Sequence, residues 1–267
     1  MVKSQTKKGE LFAELKSKIA EHEKLFKIKD IFDDALLSAF LRGKKFNVDD
    51  TLKCLEHFVY IRTEKYKNFS IKYMNPSTLI TLDIQSIKTL KYMDDKGRRI
   101  GVEQSRFWDT SKFGVQELFA ELLLHVEESM RSYMIHSEDN GGVMIYDLGY
   151  LGIQHVRLAS PRMVIQGFDL FLNNIPARLA AVHLMNVSAI GRLLVAFTLR
   201  YLKAKVRSRI FVHADFASLH EHIAASVLPV SLGGELSDED AYEIDFVPRI
   251  RSQQRFYTQI AQLARHS

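Results

Sequence analysis

The chain has 267 residues, 46% of them hydrophobic and 26% charged, with a formal net charge of +5 and one cysteine, Cys54. That apolar share supplies a full globular core, and no apolar run approaches the ~18 residues of a membrane-spanning helix. A lone cysteine excludes an internal disulfide and a cysteine-based zinc cluster; the mild basic excess fits nucleic acid, an anionic membrane or neither.

The segment Met1–Lys8 is polar and basic, has no apolar stretch behind it, and carries valine rather than glycine at position 2. Neither a signal peptide nor the usual myristoylation signal is expected, which favours the cytoplasm. Leu11, Leu15 and Ile19, then Phe32, Leu36 and Phe40, then Val48, Leu52, Leu55 and Val59 recur at helical spacing. They predict three amphipathic helices whose apolar stripes form the core of a small module. Asp30 or Asp33 is placed to cap the second helix, and Asn47 or Asp49 the third.

Past Asn75-Pro76 the pattern predicts a helix over Pro76–Leu90, then a turn at Lys96-Gly97 entering a strand through Ile100 and Val102. A helix over Gln116–Tyr133, a turn at Asn140-Gly141-Gly142 and a strand over Val143–Asp147 follow. Ser160-Pro161 opens a further helix with a capping serine and proline at its first position. Ala181–Asn186 and Ile210–His213 complete the strands. Strands separated by helices predict an α/β fold, a mostly parallel sheet with right-handed crossovers, preceded by an all-α module. The expected units are 1–75, 76–250 and a C-terminal helical tail over 251–267.

Catalytic signals are missing. Val143–Asp147 runs into Leu148-Gly149-Tyr150-Leu151-Gly152, whose bulky residues do not suit a phosphate-cradling loop. His213, His220, Glu221 and His222 invite a metal reading, but His220 and His222 are two apart and do not share a helical face. Adjacent Glu127 and Glu128 diverge on a helix, so a paired-carboxylate site is not expected either. The chain does not read as an enzyme.

Asn186–Arg209, taken as one helix, puts Ile190, Leu193, Leu194, Phe197 and Tyr201 on one face. Arg192, Ala196, Arg200 and Lys203 lie broadly opposite, and a basic run through Lys205, Arg207 and Arg209 follows. Two readings fit: an ordinary helix packed on the sheet with a cationic C-terminal turn, or a movable lid that covers an apolar ligand and meets anionic lipid.

Four groups of residues together resemble the CRAL-TRIO family. Asp33-Asp34 through Phe40-Leu41-Arg42-Gly43-Lys44-Lys45-Phe46-Asn47-Val48 looks like its N-terminal helical signature. Gly97-Arg98-Arg99, Phe107-Trp108-Asp109 and Leu118-Phe119 are similar to its next motifs. Ser160-Pro161, Ile175-Pro176-Ala177-Arg178-Leu179 and Val182-His183-Leu184-Met185-Asn186 continue the series, and Leu228-Pro229 with Gly233-Gly234 resembles its ending.

The resemblance implies an apolar cavity holding one small lipid, such as a retinoid or tocopherol, under a gate helix. The lining residues it implies are Phe119, Leu122 and Val126; Tyr146, Leu148 and Leu151; Leu170, Phe171, Leu179 and Val182; and Leu194, Phe197, Thr198 and Leu202 on the gate. For each, plain core packing is the alternative, because cavities and cores use the same residue types. By the same resemblance Arg178, Lys205 and Arg209, helped by Arg207, would bind a phosphoinositide headgroup; Ala180 replaces one basic position of that set. Ser188, Gly191 and Leu232 also depart from the family pattern, and Gly191 would loosen the gate helix by roughly 1 kcal/mol relative to alanine.

The expected activity is carriage of the lipid between membranes, with release promoted by anionic phosphoinositides at a reversibly bound membrane surface. The alternative is a lipid-sensing module that recruits a protein partner. No cofactor, metal or nucleic-acid partner is expected, the last because the basic residues lack interleaved aromatics, and the expected state is a monomer.

Overall fold

The fold begins with α1 (Val2–Glu21), α2 (Asp34–Gly43) and α3 (Val48–Tyr60), whose boundaries follow their capping residues. This computed structural model describes residues 2–133, 141–158, 160–172 and 174–267, so Asn140 of the expected turn lies outside it. The Asp33 carboxylate accepts from the Leu36 amide at 2.7 Å and Asn47 Oδ1 from the Asp50 amide at 3.0 Å. Each satisfies one of the orphan amides of a helix start. One wide turn over Ile61–Lys65 leads into α4 (Lys67–Tyr73), and α5 (Ile80–Ile84) follows.

The helix expected over Pro76–Leu90 is therefore cut short. Gln85 takes a left-handed conformation (φ 54°), its amide closes on the Thr81 carbonyl at 2.8 Å, and the chain reverses into β1 (Ile87–Thr89). The Glu121 carboxylate accepts from the Ser86 hydroxyl and from the Ile87 amide, the latter at 3.1 Å. A partner 34 residues away holds this short strand, so local periodicity could not predict it.

Next come β2 (Arg99–Gln104), α6 (Val115–Tyr133), β3 (Gly142–Asp147), α7 (Ile153–Leu158), α8 (Pro161–Phe171) and β4 (Leu179–Met185). Then follow α9 (Ala189–Leu199), α10 (Ala204–Arg207), β5 (Ile210–Val212), α11 (Phe216–His220), α12 (Asp238–Ala241), α13 (Phe246–Ser252) and α14 (Gln254–His266). The sheet order is β1-β2-β3-β4-β5; β1 is antiparallel to β2, and all the other neighbours are parallel. Parallel strands added always on the same side, by right-handed crossovers, put every crossover helix on one face. The sheet thus has a helix-roofed face and a second face covered by the chain after β5.

That second face is a packed core. Val102, Ile145 and Met185 alternate inward against Leu219, Ile223, Leu228 and Leu232. The Leu-Pro…Gly-Gly ending is explained here: Gly233 is left-handed (φ 73°), and a Cβ on Gly234 would lie 2.1 Å from the Leu228 carbonyl oxygen.

The larger core joins the N-terminal helices to α6, α13 and α14, with Leu15, Leu36, Leu55 and Leu124 fully buried. Phe40 and Phe58 meet edge to face at 5.2 Å, and Phe32 meets Phe256 at 5.3 Å. Gly43 seats directly on Pro176, where a Cβ would come within 2.7 Å of the proline ring.

Candidate ligand cavity

Alternation along the strands divides their residues between the two faces. Register then aligns them in rows: Thr89, Gly101, Met144, Val182 and Ile210 form one row on the roofed face, and Ile87, Glu103, Tyr146 and Leu184 the next. Both rows floor a cavity of about 560 Å³, within the roughly 300–1,000 Å³ of small-molecule sites. Its roof comes from α6, α8 and α9. Phe119, Leu122, Val126 and Ser129 project from α6 at helical spacing, while Ala120, Leu123, Leu124 and Glu127 on the opposite side are buried in the core. The α6 helix is thus enclosed on both sides, yet only one side is filled.

Twelve of the expected lining residues are in the cavity wall: Phe119, Leu122, Val126, Tyr146, Leu148, Leu151, Phe171, Leu179, Val182, Leu194, Thr198 and Leu202. Leu170 and Phe197 are not. Leu170 turns the other way on α8 into the large core, and Phe197 packs edge to face on Tyr201 at 5.4 Å. The inward face of this segment is rotated by about one residue from the expected one: Leu194, Val195, Thr198, Leu199 and Leu202 look inward, while Leu193 is 69% exposed.

The single helix expected over Asn186–Arg209 is two. Asn186 leaves β4 in a left-handed conformation (φ 52°), tied to Asp147 Oδ1 by its side-chain amide at 2.9 Å. Asparagine tolerates this region better than most residues, which gives that motif position a structural role. Ser188 caps α9, accepting from the Gly191 amide at 3.0 Å. Gly191 thus lies in the capped first turn, where the expected interior-helix penalty does not apply. A turn over Arg200–Leu202 and an extended Lys203 (ψ 148°) then separate α9 from α10.

The four basic residues expected at a headgroup site cluster near one edge of the cavity. Arg178, Lys205 and Arg207 are exposed and form no ion pair among the described residues, and Arg178 also lines the cavity with Val206 and Ile210. Arg209 is partly committed, because its guanidinium donates to the Leu179 carbonyl at 2.5 Å.

Polar residues also face the cavity, and two of them, Glu103 and His125, were not singled out by the sequence. Burial, reinforced by the negative charges of Glu121 and Asp147, pushes the Glu103 carboxyl up to about 8. Burial also raises the Tyr146 phenol. Trp108 is in the wall with its buried indole N–H unpartnered. His125, in the same wall, is pushed down to about 4 by burial; its Nδ1 lies 2.9 Å from the Glu121 carbonyl.

On the sheet's other face, His183 stacks on His213 at 5.1 Å and lies 5.2 Å from the His222 ring. The Nδ1 of His183 and Nε2 of His213 are 2.8 Å apart. The metal reading of His213, His220, Glu221 and His222 finds no site: among the described residues no group of three such side chains is arranged to hold an ion. Nor, among them, is any helix long and apolar enough to cross a membrane.

Comparison with known proteins finds the CRAL/TRIO domain profile matching residues 85–234, more than half of the chain. Clavesin-2 of Mus musculus is 28% identical over 210 residues, which cover 78% of this chain and 64% of the relative. Alpha-tocopherol transfer protein-like of Homo sapiens is 27% identical over 210 residues, covering 78% of this chain and 60% of that one. The alignments therefore span somewhat under two thirds of those relatives' lengths. The solved structure of Sfh5 aligns with a TM-score of 0.48 at 14% identity, over 81% of this chain and 83% of that one.

Proposed function

The chain belongs to the CRAL/TRIO domain family, and from that premise we propose that it holds one small apolar lipid in the cavity between sheet and roof and carries it between membranes. The observation that carries this reading is the cavity face of α6: Phe119, Leu122 and Val126 line the open space together with Met144, Tyr146 and Val182 of the floor. Protein interiors normally leave few voids larger than a water molecule. A ligand that fills this one removes apolar area from water at ~25 cal/mol per Å².

The same proposal makes α9 and α10 the gate. Tight apolar burial slows release, so a carrier needs a trigger at its target. Arg178, Lys205 and Arg207 supply one by pairing with anionic lipid, each worth about 1 kcal/mol near such a surface. On the outside, α7 packs against α9, and Ile153 and Leu193 are exposed there, as suits a face that dips into a membrane. The reading is of a carrier, peripheral to the bilayer, rather than a catalyst. The helices over 1–75 form its bracing module and 251–267 its closing tail.

Retinol moving from neutral donor vesicles to acceptors with or without phosphoinositide provides the test. Phosphoinositide accelerates protein-mediated transfer, and Lys205→Ala with Arg207→Ala lowers that acceleration on the order of tenfold. These two are preferred over Arg209, whose loss would also free the Leu179 carbonyl. An unchanged rate in the double variant overturns the trigger; absence of any cavity-bound lipid overturns the carrier. Cargo that stays bound while a protein partner is recruited selects the sensing alternative.

A further inference from the structure

The middle of an apolar floor is a costly place for an acid. Glu103 and Tyr146 are register partners on adjacent parallel strands, so their side chains leave the same face of the sheet, flanked by Ile87 and Leu184. Glu103 is 7% exposed and lines the cavity, so what remains accessible of it faces the ligand space.

The other buried acids all have partners. Glu127 accepts from Arg62 and Tyr257, Glu128 from Ser132 and Arg249, and Asp94 from Arg98. Glu121 accepts from Ser86 and Ile87, and Asp147 from Gly149 and Asn186. Among the described residues, Glu103 and the Tyr146 hydroxyl have neither a hydrogen bond nor an ion pair. Buried polar groups are nearly always satisfied, and a group that is not satisfied by the protein but faces a ligand space is placed for the ligand.

We propose that Glu103 and Tyr146 form a hydrogen-bonding subsite that selects a cargo with a neutral hydroxyl-bearing end over the matching carboxylate or hydrocarbon. The inference rests on the carrier reading and names its cargo class. The charges that act on Glu103 are those of Glu121 and Asp147, both negative. With no cation to pair it, Glu103 is the neutral acid at neutral pH, and a neutral carboxyl both donates and accepts. Tyr146 does the same, so a hydroxyl can satisfy each partner and be satisfied in turn. A carboxylate cargo would instead bring a negative charge beside the acids Glu121 and Asp147, in a medium that screens poorly. A hydrocarbon end would leave both groups unpaired.

The test uses the full chain, stripped of lipid and equilibrated with an equimolar mixture of oleyl alcohol, oleic acid and octadecene, with the retained species extracted and quantified. Oleyl alcohol is retained over each of the others by about tenfold, the value of one or two buried hydrogen bonds. Glu103→Leu brings alcohol and octadecene to within about twofold while total occupancy persists. Glu103→Gln, which fills the same space and still donates and accepts, keeps the preference.

Oleic acid retained as well as the alcohol overturns the subsite, as does a preference that survives Glu103→Leu. Octadecene retained without any preference overturns the subsite alone. Failure of all three to enter overturns the carrier reading and the subsite with it.

Discussion

The guanidinium of Arg62 donates to the carboxylate of Glu127 in the protein interior, where the two side chains are 3% and 0% exposed. Glu127 also accepts from the Tyr257 hydroxyl at 3.0 Å, and Arg62 lies 3.4 Å above the Phe58 ring. One ion pair therefore ties the N-terminal helices to the cavity's main wall and to the C-terminal helix.

Removing one partner of a buried pair strands the other. Arg62→Leu or Glu127→Gln is expected to destabilise the fold by about 3–5 kcal/mol. Arg62→Leu with Glu127→Gln should lose less than the sum of the two single changes, as denaturant titration of the four proteins would establish.

Filling the cavity should separate lipid load from stability. Leu122→Trp places the added volume in open space, so lipid recovered by extraction falls severalfold while the fold stays close to wild-type stability. Leu123→Trp, one residue on and 1% exposed in the core, should cost about 1–3 kcal/mol by overpacking. Equal destabilisation by both would mean that α6 has no unfilled side.

Glu103 should make the protein less stable as pH rises. Its folded pKa, about 8, exceeds the ordinary 4.5, so over that interval the folded state holds a proton the unfolded state has lost. The contribution of Glu103 to stability must then decline from pH 4.5 to 8. Glu121, pushed up by burial to about 7, acts in the same direction over a narrower range. Glu103→Gln should flatten the decline between pH 7 and 8, as followed by thermal unfolding across that interval.

The histidines act at the other end. Burial and the neighbouring His213 push His183 down to about 4 from 6.5, so the folded state resists a proton that the unfolded state accepts. That contribution is complete above pH 6.5 and is lost as pH falls toward 4. His183→Phe should move the midpoint of acid unfolding, followed by circular dichroism, to lower pH. The shift is partial because His125 is depressed in the same way.

How much of this was legible in the sequence depended on whether the cause lay nearby. Val143–Asp147 and Ala181–Asn186 could be read as strands because both faces of β3 and β4 are covered, which leaves nearly continuous apolar runs. Asp33 and Asn47 could be read as caps because a cap acts over three residues. β1 could not, since its anchor is Glu121 on a distant helix. The continuous apolar spacing from Ile190 to Tyr201 suggested one long gate helix, but the chain breaks at Lys203 and turns Leu193 outward. Glu103 gave no signal at all: an acid in a strand reads as solvent-facing until the register sets it beside Tyr146 over a cavity.

The unreversed strand order has a consequence for how the cavity opens. Its floor is held by backbone hydrogen bonds shared between neighbouring strands, whereas among the described residues the backbone bonds of α9 and α10 are local and tie neither helix to another element. Amide exchange should therefore divide the two walls, with Met144 and Val182 opening only at the cost of global unfolding and the amides of α9 at a small fraction of it. On the carrier proposal, entry of a guest costs the loosening of these two helices, while the sheet stays in register.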